Sequence, residues 1–260
     1  MNVDIQAPKP KVAFFDFTSC EGCQLTVLDS LQSHPELLEV IEIVEFREAM
    51  TGHADRYDIA FIEGSCTRPS DEERLSSIRA RAAVVVALGA CAHIGGVNAI
   101  RNNMPLADVR QVVYGDDAHR FDTYEVRPIS AVIPVDFTVP GCPISPEEFI
   151  TIVTVMLQGR HPELQDFPVC IECKVRETVC AYQRGRTCLG PITRAGCQAI
   201  CPSYGYECVG CRGMISNPNL ESLSQIMAEH GLSSDGMNSR LSMFLAWQTR
   251  QRKTKEVGHE

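Results

Sequence analysis

The stretch CIECKVRETVCAYQRGRTCLGPITRAGCQAICPSYGYECVGC, from Cys170 to Cys211, crowds eight of the chain's thirteen cysteines into 42 residues. The other 218 residues hold five. This segment has almost no hydrophobic periodicity, so an apolar core of its own is not expected and bound groups must supply the cohesion. Its turn formers, GP, AG, CP and YGY, suit a chain wrapped around such groups. The spacing C-x2-C-x6-C-x7-C-x8-C-x3-C-x6-C-x2-C divides naturally into two sets of four. One is Cys170, Cys173, Cys180 and Cys188; the other is Cys197, Cys201, Cys208 and Cys211. Each set has the thiols to close a 4Fe–4S cube. Interleaved ligation, as in two-cluster ferredoxins, is another partition, and a pair of zinc-ribbon-like sites is the bland alternative. Lys174, Arg176, Arg184, Arg186 and Arg194 lie among these cysteines, where they support a cluster's negative charge or simply face solvent.

The compartment decides what thiols are for. The first residues, MNVDIQAPKPKVAFFDF, carry neither a charged-then-apolar leader nor a twin-arginine pair. The longest apolar run, AAVVVALGACAHI from Ala82, is too short to span a bilayer. A cytoplasmic chain is therefore expected, and there structural disulfides are disfavoured and clustered cysteines read as metal ligands. A net charge of −9 argues against nucleic acid or an anionic membrane as partner. At 260 residues the chain has room for a sizeable core in one or two domains.

Ahead of the cysteine-rich segment, strand and helix signals alternate. Lys11–Phe17, Val40–Phe46, Tyr57–Gly64, Ala83–Gly89 and Val135–Gly141 read as strands. Gln24–Gln32, with leucines three apart, reads as a helix; so does Ser70–Ala80, with a cap-like serine and acidic first turn, and Ser145–Leu157, with proline near its start. The uniformly apolar AVVVALG is the pattern of a strand buried on both faces. The sum predicts an α/β fold with an open, doubly wound parallel sheet, followed by a small irregular domain. Pro, Gly and polar residues cluster at Gly159–Pro168, so we expect one domain over 1–160 and a second over 161–260. The latter ends in one or two amphipathic helices after Ser222 and a charged, frayed tail.

Cys20 and Cys23 form a C-x2-C after the first strand; Cys91 and Cys142 each follow a later one. In a parallel sheet all strand C-termini share one edge, where ligand crevices form, so these four can converge. Four thiolates suit zinc or an iron–sulfur cluster, and one pair plus two solitary cysteines around a crevice favours the larger group. A flavin site is disfavoured, because TSCEGC lacks the hydroxyls and glycines of a phosphate cradle. Cys66 also follows a strand and is a rival ligand on geometry alone. Four ligands plus eight make three cubes, which leaves Cys66 over.

FTSCEGCQLTVLD, FIEGSC, VVALGACAHIGGV, VPGCPISPEEF and VCIECK…CLGPITRAGCQAICPSYGYECVGCRG closely resemble the small, electron-transferring subunit of nickel–iron hydrogenases. The likeness is nearest the delta subunit of the cytoplasmic, NAD(P)-linked sulfhydrogenase type and runs in register over roughly 11–215. It implies a flavodoxin-like first domain whose Cys20, Cys23, Cys91 and Cys142 hold a proximal 4Fe–4S cluster. It gives Cys170, Cys173, Cys180 and Cys188 to a distal cluster. Cys197, Cys208 and Cys211 go to a medial one, with Cys201 as the fourth ligand that members with a three-iron medial cluster lack. It departs at Ile144, where the family usually has a second proline, and at Cys66, where EGS is usually not followed by cysteine. No catalytic residue is implied, since the family's nickel–iron ligands lie in the large subunit. The partners implied are that large subunit, a flavin/NAD(P)-binding subunit and a further iron–sulfur subunit, with Glu21 near enough to affect the proximal cluster. Alternatives are the related subunit of a quinone or F420-type oxidoreductase and, in another class, a zinc-stabilised binding module.

Overall fold

The computed structural model describes residues 8–257. Five strands form one parallel sheet: β1 (Lys11–Asp16), β2 (Glu42–Phe46), β3 (Tyr57–Glu63), β4 (Ala82–Leu88) and β5 (Phe137–Val139). Their order is β2-β1-β3-β4-β5, the flavodoxin-like arrangement. Parallel neighbours need crossovers, and helices supply most of them: α1 (Gly22–Ser33) and the single turn α2 (Leu37–Val40) between β1 and β2, α3 (Pro69–Arg81) between β3 and β4, and α4 (Gly89–Ile94) and α5 (Leu106–Tyr114) between β4 and β5; the β2–β3 link carries no helix, and α6 (Pro146–Leu157) follows β5.

Period-two alternation feeds both faces of the sheet. Val12, Phe14, Ile59, Phe61, Val86 and Leu88 pack on one side with Val27 and Leu31 of α1 and Phe149, Ile152 and Val153 of α6. Ala13, Phe15, Ala60, Ile62, Val85 and Ala87 pack on the other with Leu75 and Ile78 of α3. Burial on both faces is why these strands read as continuous apolar runs. Phe14 stacks on Phe46 and Phe61, with ring centroids 4.4 and 5.0 Å apart.

Several boundaries differ from the sequence reading, each for a local reason. The alternation starting at Val40 becomes a strand only at Glu42, where pairing with Lys11 begins; Leu37–Val40 closes as a helical turn first. α3 starts at Pro69, so Ser70 lies inside its first turn and is not the cap. Asp71 does the capping work, its carboxylate accepting from the Thr67 and Arg68 backbone N–H at 2.9 and 3.0 Å. At α6 the serine reading holds: the Ser145 hydroxyl accepts from the Glu148 N–H at 3.3 Å, and Pro146 follows it. β5 is only three residues long. Before it, the Asp136 carboxylate accepts the Val85 N–H at 2.7 Å, so a side chain takes a place the ladder would fill.

The cysteine-rich half carries α7 (Val169–Val175), the single turn α8 (Ile200–Ser203), α9 (Leu220–Glu229) and α10 (Ser234–Val257). It is not without apolar cohesion. Leu189, Ile192 and Met214 join Leu223, Met227, Leu241, Phe244 and Leu245 in a cluster that also takes Ala90 and Ile94 from α4. The segment's few aliphatic residues are too widely spaced to show a period, yet they meet a core built from the tail helices. The charged run after Arg250 also stays helical, to Val257, because Arg, Lys, Gln and Glu are strong helix formers.

Candidate metal centres

The carboxyl edge of the sheet gathers Cys20, Cys23, Cys91 and Cys142. β1 leads into the turn holding Cys20, and Cys23 lies in the first turn of α1. β4 passes at Gly89 into α4, which carries Cys91. β5 passes through Pro140 and Gly141 to Cys142, and the Ala90 N–H donates to the Gly141 carbonyl at 2.7 Å, tying the last two turns together. Gly89 has φ +81°, and a Cβ there would collide with the Cys23 sulfur. Only glycine lets the β4 turn come so close to the thiol.

Glu63, which ends β3, is 2 % exposed and lies behind this group. Its two carboxylate oxygens accept the backbone N–H groups of Cys23 and Gln24, at 3.1 and 2.9 Å. These are the free donors of the α1 N-terminus, so one buried acid holds the cysteine turn against the sheet. Burial raises the Glu63 carboxyl above the usual carboxylate range. Burial first, then the charge of Glu63, pushes the Cys23 thiol up. Cys91 is pushed up to about 12 by burial and by Cys142 and Cys20. Cys142 is raised by burial, Cys20 and Glu63. The four thiols are thus close enough to oppose one another's ionisation, and a bound cationic group would remove that cost. Glu21 is half-buried with a left-handed backbone, φ 63°, at the start of α1.

A second group forms around α7, whose one turn carries Cys170 and Cys173. Burial and the nearby Cys188, Cys173 and Cys180 push Cys170 up to about 12. The Cys188 sulfur accepts N–H groups from Cys208 at 3.2 Å and Gly190 at 3.4 Å. Such donors stabilise a thiolate.

In a third group, the Cys197 turn has positive φ at Gly196, Gln198 and Ala199. Glu172, between Cys170 and Cys173, steadies it by accepting from the Gly196 and Ala199 N–H at 2.7 and 3.0 Å. Cys201 lies on α8. Burial, then Cys197, pushes Cys211 up to about 12, with Cys201 adding to it. Burial and Cys188 raise Cys208, with Cys211 nearby. Two contacts join the groups: the Cys208 N–H on the Cys188 sulfur, and Arg212, which donates to the carbonyls of Ala195 and Pro140. The Cys197 group therefore makes contact with both of the others.

Cys66 is apart from all three. It is fully buried on the opposite face of the sheet, and its sulfur lies 2.9 Å from the Tyr124 hydroxyl. Of the basic residues, Arg194 is spent on Asp166 and on the Gln165 and Met214 carbonyls, and Arg186 reaches Glu207. All thirteen cysteines are free thiols. Sequence reasoning missed Glu63 and Glu172 as supports and Arg212 as a buried cation. The signal for Glu63 was there, as a lone acid closing the uniformly apolar run FIEG.

The family described as "NADH ubiquinone oxidoreductase, 20 Kd subunit" matches residues 20–156, more than half of the chain. Sulfhydrogenase 2 subunit delta of Pyrococcus furiosus is 35% identical over 91% of this chain and 100% of its own length. The chain is a hydrogenase small-subunit-type member of this family. The delta subunit of the NAD-reducing hydrogenase HoxS of Cupriavidus necator is 28% identical, over 60% of this chain and 82% of its own. A crystal structure of an NAD+-reducing [NiFe]-hydrogenase has a chain 29% identical, with a TM-score of 0.55, covering 60% of this chain and 95% of that one. Hydrogenase small subunits of this family carry iron–sulfur clusters and pair with a nickel–iron large subunit. The all-thiol donor sets here fit such groups by softness. The family match stops at residue 156, before the eight later cysteines. No helix among the described residues is long and apolar enough to cross a membrane.

Proposed function

We propose that this chain is the electron-transfer small subunit of a cytoplasmic nickel–iron hydrogenase, and that it relays electrons through three 4Fe–4S clusters. In this reading the flavodoxin-like part, 1–160, holds the proximal cluster through Cys20, Cys23, Cys91 and Cys142. The cysteine-rich part, 161–260, holds the distal cluster through Cys170, Cys173, Cys180 and Cys188, and the medial cluster through Cys197, Cys201, Cys208 and Cys211. The electrons pass between a large subunit that splits H2 and a flavin/NAD(P)-binding partner, with a further iron–sulfur subunit in the assembly.

One observation carries the reading. The Cys208 N–H donates to the Cys188 sulfur at 3.2 Å, and Arg212 ties the Cys142 turn to the Cys197 turn through the Pro140 and Ala195 carbonyls, which supports three candidate thiol sets that adjoin one another in turn. Each cluster, when bound, takes up or gives one electron at low potential. This chain's own work is to hold the thiols, bury them from water and supply N–H donors and charges that tune them. The eight later cysteines, outside the family match, favour a hydrogenase subunit over a quinone-reductase one.

Anaerobically purified protein tests this. It should be brown, absorb broadly near about 400 nm, bleach on reduction and contain about twelve iron atoms. Colourless, zinc-rich protein overturns the reading.

A further inference from the structure

Arg212 is 1 % exposed, an unusual place for a charge. Its guanidinium is fully engaged. It forks onto Glu148 with two bonds of 2.7 Å, donates from Nε to the Ala195 carbonyl at 2.9 Å and from Nη1 to the Pro140 carbonyl at 3.0 Å. Ala195 stands two residues before Cys197, and Pro140 two before Cys142. The cation is therefore wedged between the turns of two thiol groups. Gly196 (φ +114°) lies against it so closely that a Cβ would collide with Nη2. Holding two halves of a chain together needs no buried charge, and replacing such a pair by apolar residues is often neutral or better for stability.

On another side of Cys197 stands the opposite charge. Glu172 Oε2 lies 3.8 Å from the Cys197 sulfur, and its carboxylate is held there by the Gly196 and Ala199 N–H groups. One turn thus carries a cation and an anion fixed by backbone bonds.

We propose that Arg212 and Glu172 are opposed positioning charges that set the reduction potential of the group bound at Cys197, Cys201, Cys208 and Cys211. The inference rests on the reading of these cysteines as cluster ligands. Reduction adds one electron and no proton, so the bound group becomes one charge more negative. A buried cation favours that state and a buried anion opposes it, both acting strongly where water is excluded. The Glu148 carboxylate, on the α6 side of the fork, keeps the guanidinium oriented and offsets part of its charge. The geometry then has two levers of opposite sign on the middle station of the relay, the one that both neighbours must pass through.

The test is an EPR-monitored potentiometric titration of the full, anaerobically purified chain. The medial signal is assigned as the one lost in Cys201→Ser. Arg212→Met, which removes the cation and leaves the Glu148 carboxylate, should make medial reduction about tenfold less favourable, a fall of about 59 mV for one electron, and Glu148→Gln, which leaves the guanidinium less offset, should move it upward. Arg212→Lys keeps the charge and should restore most of it. Glu172→Gln should move the same signal upward, and the distal signal with it because Glu172 stands between Cys170 and Cys173, while the proximal signal stays in place. A purely structural role does not yield shifts of opposite sign. An unmoved medial signal in Arg212→Met, or movement in the same direction in Arg212→Met and Glu172→Gln, overturns the inference while three reducible signals in the unmodified protein keep the cluster reading. Absence of iron from the unmodified protein defeats that reading and the inference with it.

Discussion

Glu63 receives the backbone N–H of Cys23 at 3.1 Å and that of Gln24 at 2.9 Å, one on each carboxylate oxygen. A buried acid at the end of a central strand is thus the anchor of a cysteine turn. Glu172 does the same for the Cys197 turn, with the N–H groups of Gly196 and Ala199. In both places the chain turns sharply beside a thiol, and a carboxylate collects the donors that the turn leaves free.

Glu63→Ala leaves two buried N–H groups without an acceptor. We expect a loss of roughly 2–6 kcal/mol of stability, at about 1–3 kcal/mol per unsatisfied group. Iron content should fall by about four atoms, one cube. Denaturant unfolding and iron analysis read the two effects; wild-type values in both would rule out the anchoring role.

Gly89→Ala places a methyl against the Cys23 sulfur at a backbone of φ +81°. The expected cost is about 1–3 kcal/mol from the strained conformation, and more from the collision. Gly159 also has positive φ, +69°, but a Cβ there meets nothing within 4 Å. Gly159→Ala should therefore cost less and leave iron binding intact. Thermal unfolding of the two variants side by side makes the comparison.

Cys66→Ser should leave the iron content unchanged, because its sulfur faces Tyr124 on the other side of the sheet. Cys188→Ser should remove or convert one cluster, since its sulfur is the acceptor for Gly190 and Cys208. Iron loss from the Cys66 variant would place that thiol among the proximal ligands and displace one of the four.

Glu207 pairs with Arg240 at 2.9 Å and Arg186 at 3.3 Å, joining the cysteine-rich segment to α10. The hydrogen bond from Arg240 leads the causes that hold its carboxyl below the ordinary range. A depressed carboxyl stabilises the fold above its unfolded pKa, near about 4.3 for glutamate, and that stability drains away as pH falls through the lower folded value. Glu207→Gln should then cost under about 1 kcal/mol at neutral pH and almost nothing in acid. Unfolding curves at several pH values measure it; an equal deficit at every pH counts against the ion pairs as its source.

The succession of strands and helices was legible in advance, because the apolar run in KVAFF, from Lys11, and in its counterparts encodes two buried faces locally. The groupings of twelve thiols could be guessed from spacing and from the rule that parallel strands share an edge. Neither Arg212 nor Glu172 could be found this way. Their partners, Pro140 and Glu148 for the first and Gly196 for the second, lie between 24 and 72 positions away. The common core of the cysteine-rich half was equally hidden, since Leu189 and Ile192 meet Leu245 and Ile94 only after the chain has closed.

From the amino-acid order alone came the α/β architecture and the inventory of soft donors, both written in patterns a few residues long. Tertiary structure alone decided which carboxylates brace the turns and where a positive charge is buried. Those depend on loops from distant parts of the chain arriving at one place, and an electric field or a hydrogen bond is set by that distance in space, not by separation along the backbone.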